Sequence, residues 1–248
     1  MYHFFSVDFS FSKEDLVICL PILCALVFFS LYWFIAQSVR IRNVFYSKYE
    51  FDKASYRHII FTKFTGLVVM CILPIITCLI FLDDYALAEY GLTIISSTSF
   101  FSLVWIIALC MLVVPLVYFS ARQEKNWKNY PQIRSRIWTK KMMFMNAVGW
   151  FVYLFGYEFL FRGVLLFPLV EGLGVWPAIA INIALYSATH IPKGLDETIG
   201  AAPLGLVLCI LTLMSGTIWI AFFVHVAMAW TNSFTALKFN PETNYIKS

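Results

Sequence analysis

The sequence predicts an all-α membrane protein: a polytopic bundle of about seven transmembrane helices, N-terminus outside and C-terminus cytoplasmic. Three observations predict it. Hydrophobic residues make up 61% of the 248 and charged residues only 13%, well beyond the apolar share of ordinary soluble domains. Several runs approach the roughly 20 apolar residues that cross hydrocarbon as a helix. Lys and Arg gather in alternate connections, which sets orientation.

Taken in order, residues 16–36, 66–82 and 100–119 are the first three spans, and residues 142–170 form a longer fourth. Three shorter runs follow at 175–188, 199–214 and 218–230, separated by Pro, Gly, Lys and Asp. The first span lacks a basic leader, because Lys13 is offset by Asp8, Glu14 and Asp15, and its apolar run is too long for a cleaved signal peptide. It is expected to stay as a signal-anchor.

Residues 37–63 carry Arg40, Arg42, Lys48, Lys53, Arg57 and Lys63, and residues 120–141 carry seven cations from Arg122 to Lys141. Residues 83–99 between them carry none. The two basic stretches are therefore expected in the cytoplasm, together with the tail bearing Lys238 and Lys247. The net charge of +4 reports this topology and requires no nucleic acid. Trp127, Tyr130 and Trp138 in the second basic stretch suit the headgroup region of the lipid bilayer.

No repeat, low-complexity stretch or soluble domain interrupts the chain, so residues 1–248 read as one membrane unit. It divides by chemistry. Residues 1–141 show no charge within a span and read as a three-helix scaffold half. Residues 142–232 hold the buried polar groups and read as the functional core, and residues 233–248 read as a cytoplasmic tail. Six cysteines, all within spans and without a C-x-x-C pair, read as packing residues.

The core is marked by two charges in an apolar run. Glu158 and Arg162 are four residues apart, on one helical face, where each neutralises the other. Ionisable groups at bilayer depth cost a few kcal/mol and normally face a protein-lined cavity. His190 ends the run 182–190 with Tyr186 one turn before it, and His225 shares a face with Asn232 two turns on. One carboxylate and two imidazoles on three helices are the minimum donor set for a zinc site with an open position. The same Glu158, His190 and His225 can instead activate water without metal. Taken singly, each histidine also reads as a hydrogen-bonding group between helices, and the Glu158–Arg162 pair as a structural clamp. Their co-occurrence on consecutive late helices favours a site.

The ordered motifs Tyr157-Glu158-x-x-x-Arg162-Gly163, Tyr186-x-x-x-His190 and His225 resemble those of the CPBP family, the CAAX protease and bacteriocin-processing (Abi) intramembrane endopeptidases. That family reads Glu-Glu-x-x-x-Arg, Phe-x-x-x-His and His-x-x-x-Asn. Tyr157 stands at the first glutamate and Ala229 at the asparagine. A branch of the family reads Tyr-Glu-x-x-x-Arg-Gly with a following His-x-x-Lys and glutamate, matched here by His190, Lys193 and Glu197. The resemblance implies an integral protein of the cell membrane that hydrolyses peptide bonds of membrane-associated peptides or proteins. It implies Glu158 as water-activating base with His190, and His225 as oxyanion or metal group. Arg162 would keep Glu158 ionised, Glu197 would be a second carboxylate, and Asn232 would replace the missing asparagine. Glu197 also reads as the acidic start of a helix. The resemblance leaves zinc an open option and does not require a prenyl group. Two other classes stay open: a catalytically inactive scaffold or partner-binding relative, and a small transporter, which would call for an internal repeat.

Overall fold

The computed structural model describes residues 9–245, apart from the side chain of Lys193. Asp8 and Lys247, which entered the charge counts, lie outside the described residues. Eight helices of at least one full face organise the chain: α1 (Lys13–Gln37), α2 (Val39–Tyr46), α3 (Phe51–Phe81), α4 (Ser96–Ala121), α5 (Lys140–Leu173), α6 (Val175–Ala188), α7 (Leu195–Ser215) and α8 (Trp219–Phe239). Two short strands, β1 (Ile137–Trp138) and β2 (Asn244–Tyr245), pair in parallel and tie the end of the chain to the start of α5.

Among the described residues six helices, α1, α3, α4, α5, α7 and α8, are long and apolar enough to cross a membrane. The protein is an integral membrane protein with an all-α bundle. The fifth of the seven expected crossings, α6, has only 14 residues. At about 1.5 Å per residue it is near 21 Å long, shorter than a hydrocarbon layer of about 30 Å.

Local chemistry sets the ends. Ser12 caps α1 in a capping box with Asp15, and the Thr139 hydroxyl accepts from the Met142 N–H at the start of α5. The second span begins at Phe51 rather than at 66. Lys63 explains the difference: its ammonium lies 2.9 Å from the Trp150 ring centroid and 4.5 Å from that of Tyr153, and the residue is buried. Aromatic faces on α5 thus allow a charged turn to continue as a packed helix. His58 on the same helix is buried as well. The first half therefore does bury ionisable groups, against the expectation from its sequence. Helix α8 likewise runs to Phe239, and the Asn146 amide donates to the Ser233 hydroxyl at 2.9 Å, so the expected tail begins inside a packed helix.

Helix α5 is the axis of the bundle. Its Tyr157, Leu160, Phe161, Leu165 and Leu166 share one core with Tyr32 of α1, Met70 of α3, Ile179 and Tyr186 of α6 and Cys209 of α7. Helices α3 and α5 lie side by side in the same direction. Gly149 faces Ile60 and Lys63, while Gly156 faces Gly66 and Leu67, where a Cβ would come 3.0 Å from the Gly66 carbonyl. Residues Phe159–Leu166 of α5 adopt the wider π-helical winding, a form found mostly at functional sites. Gly163 sits on this widened turn, where a side chain would meet the Tyr90 carbonyl at 2.8 Å. The loop between α3 and α4 therefore presses directly on the segment that carries Arg162.

Candidate functional site

Glu158 and Arg162 project from the widened part of α5 and are 0% exposed. The Glu158 Oε2 lies 3.5 Å from the Arg162 Nε. The other oxygen, Oε1, is hydrogen-bonded to His225 Nδ1. Because a carboxylate only accepts, Nδ1 carries the proton, and Nε2 of a neutral ring becomes an acceptor. The Tyr186 hydroxyl then donates to Nε2 at 2.9 Å. Carboxylate, imidazole and phenol thus form one buried relay across α5, α8 and α6.

Arg162 is fixed from the other side. Its Nη1 donates to Asn182 Oδ1, the Asn182 amide donates to the Phe161 carbonyl at 2.6 Å, and its guanidinium carbon lies 4.5 Å from the Tyr186 ring centroid. The Cys209 thiol, 3.2 Å away, also donates to Asn182 Oδ1. A charge taken from water needs this many partners to hold its place.

His190 stands at the end of α6. Its Nδ1 donates to the Tyr186 carbonyl at 3.1 Å and lies 3.2 Å from the Thr189 hydroxyl. Thr189 itself donates to that carbonyl at 2.7 Å, so the Tyr157 phenol donates to Thr189 at 2.8 Å. Tyr157, at the position of the family motif's first glutamate, is thereby tethered to the His190 turn.

A cavity of about 900 Å³ opens beside these groups. His190, His225, Tyr157, Tyr186, Asn232 and Glu197 all line it. Glu158 and Arg162 do not. His225, 8% exposed, is the boundary: one face meets the cavity and the other meets Glu158. The expected site residues are thus brought together, but in two layers. The carboxylate expected to face water stands behind an imidazole.

This geometry bears on the zinc option. Both His225 nitrogens are committed, to Glu158 and to Tyr186, and His190 Nδ1 points back to the backbone of its own helix. Among the described residues no three His, Cys, Asp or Glu side chains gather as metal ligands. The donor set Glu158, His190 and His225 does not fit a resident zinc in this arrangement.

Arg42, Lys125, Lys128 and Arg134 of the two basic stretches also line the cavity. Arg134 donates to the carbonyls of Trp127, at 2.6 Å, and Lys128. Burial lowers the Arg134 guanidinium from its ordinary value, against the opposing pull of Glu242. Lys125 pairs with Asp196 at 3.1 Å.

Residues 139–231 match the family model described as type II CAAX prenyl endopeptidase Rce1-like. The chain is similar to that family over this stretch, 93 of its 248 residues. The match contains Glu158, Arg162, His190, Glu197 and His225, and it ends one residue before Asn232. No curated protein and no solved structure matches the chain.

Asn182 and Tyr186 were recognisable as polar neighbours of His190, at four-residue spacing on one face of α6. Their contacts to Arg162 and His225 were not, because they cross between helices. Cys209 and His58 gave no signal of their own.

Proposed function

We propose that the chain is an intramembrane endopeptidase that cuts membrane-associated peptides or proteins with a histidine-activated water. What supports this reading is the pair of imidazoles on one cavity wall, one of them backed by a sealed carboxylate. His225 takes the proton of the attacking water through Nε2, once Tyr186 turns its hydroxyl away, and returns it to the leaving amine. Glu158 holds Nδ1 protonated and stabilises the imidazolium, the service a carboxylate performs behind a catalytic histidine. The Tyr186 phenol and the Asn232 amide are the donors for the developing oxyanion. His190 faces the same space and polarises the carbonyl or the water, with Glu197 on the rim. Glu158 and Arg162 are positioning residues in this scheme. The basic stretches face the cytoplasm, the membrane is the cell membrane, and residues 142–232 are the working part. The family description names prenyl endopeptidases; a lipid-modified substrate segment is the corresponding class here.

The test is cleavage of a lipid-modified peptide by purified protein in detergent. His225→Ala and His190→Ala should abolish turnover, and Glu158→Gln should lower kcat with little change in KM. Parent-like cleavage by all three variants contradicts the assignment. One observation favours a second reading, a non-catalytic scaffold: the only carboxylate of the first motif is fully sealed, with Tyr157 beside it. A parent that cuts no peptide, with partner binding unaffected by His190→Ala, supports that reading.

A further inference from the structure

His58 is the histidine the mechanism leaves unused. It is 7% exposed, it lines the same cavity as His190 and His225, and its Nε2 has no hydrogen-bond partner among the described residues. Arg42 lies close enough to act on it electrostatically and also lines the cavity, as does Arg134. Neither arginine has a carboxylate within ion-pair distance among the described residues. Arg134 is held by two backbone carbonyls, which orient the guanidinium, and Glu242 acts on it only from beyond ion-pair distance. The carboxylates that line the cavity are Asp196, already taken by Lys125, and Glu197.

The spacing is set by helix geometry. With Gly149 opposite Ile60 and Lys63, and Gly156 opposite Gly66, His58 lies level with about residue 146 of α5. At about 1.5 Å per residue it sits roughly 18 Å along the bundle from the level of Glu158. Extended peptide covers that distance in about five or six residues.

We propose that Arg42 and Arg134, on the cavity wall that His58 also lines, form an anion subsite for a carboxylate of the bound peptide, about five or six residues from the bond that is cut. The inference deepens the peptidase reading and takes its ligand class from it. The two arginines supply charge-assisted hydrogen bonds, and the His58 ring, packed on Phe45 and Tyr46, lines the wall beside them. The carboxylate is either a chain terminus or an acidic side chain, since the subsite reads only its charge and reach.

The test uses the full chain in phosphatidylcholine nanodiscs and a fluorescent, N-palmitoylated octapeptide of Ala, Val and Leu. Three forms are compared: free acid, C-terminal amide, and amide with one internal Asp. The free acid should bind about tenfold more tightly than the amide, a difference expected of one surviving charged contact. Recovery of affinity by the Asp form assigns the source to any carboxylate, and failure to recover assigns it to the terminus. Arg42→Gln and Arg134→Gln should each shrink the preference several-fold, and His58→Gln less, whereas Leu112→Ala on the lipid-facing side should leave it intact. Equal binding of acid and amide overturns the proposal. So does an arginine effect seen only as weaker binding to phosphatidate-bearing vesicles, which would make the subsite a lipid contact. Binding is read without turnover. A chain that prefers the acid and cuts nothing keeps the subsite and loses the peptidase reading, and a chain that cuts acid and amide equally does the reverse.

Discussion

Helices α4 and α5 are both long, apolar and uninterrupted by helix-ending turns, yet they have opposite fates. Only 11% of the best apolar window of α4 is buried inside the protein, against 78% for α5. Phe100, Met111, Leu112 and Leu116 of α4 stand largely exposed, as lipid-facing side chains do, and its packing is confined to residues such as Leu109 and Val113 against α7 and α8. Helix α5 is enclosed by α1, α3, α6, α7 and α8 and carries a buried ion pair on a widened turn. Hydrophobicity alone therefore does not tell a wall from an axis. What distinguishes α5 is that it contains groups lipid cannot solvate, so other helices must.

The contrast gives graded predictions for unfolding in detergent. Glu158→Ala should have the largest effect, about 3–5 kcal/mol, because it leaves the Arg162 charge buried without its counter-ion. Lys63→Met should follow at about 2 kcal/mol, the worth of a desolvated cation on aromatic rings. Gly163→Ala should cost about 1–3 kcal/mol by forcing the Tyr90 carbonyl and the Phe159 ring away from α5. Met111→Ala on α4 should change stability least, within about 0.5 kcal/mol. If Met111→Ala rivals Glu158→Ala in thermal or denaturant unfolding, the division between wall and axis is wrong. Glu158→Gln sharpens the comparison further. It keeps the volume and a hydrogen-bond acceptor but also removes the Arg162 counter-ion, so it should lose less stability than Glu158→Ala, and the fraction that folds should lose turnover by about a thousandfold or more, as replacement of a histidine-orienting carboxylate does elsewhere. Rescue by Glu158→Asp, or a shifted pH profile in the Gln form, would mark a positioning role that packing alone does not give.

Much of this was legible in the sequence. Charge inside apolar runs located Glu158, Arg162, His190 and His225, and their order carried the family resemblance now matched over residues 139–231. The length of spans was legible in α1 and α4, whose apolar runs carry no charge. It failed at Lys63, because a buried cation looks like a loop residue until Trp150 and Tyr153, some ninety positions away, are placed over it. The layering of the site was also illegible. Spacing puts Glu158 and Arg162 on one face of a helix, but only packing decides that His225 stands between that face and the cavity. Neither the Tyr186 contact to His225 nor the Asn182 contact to Arg162 has a signature within its own helix.

The central claim is that His225 divides the cavity from a sealed carboxylate, and thiol accessibility tests it most directly. In a chain whose native cysteines are replaced by alanine or serine, Ala229→Cys and Asn232→Cys lie on the cavity wall. Leu160→Cys lies in the core near Glu158. A small charged thiol reagent should label the first two quickly and the third hardly at all. Equal protection of all three, or ready labelling at position 160, would contradict the arrangement described.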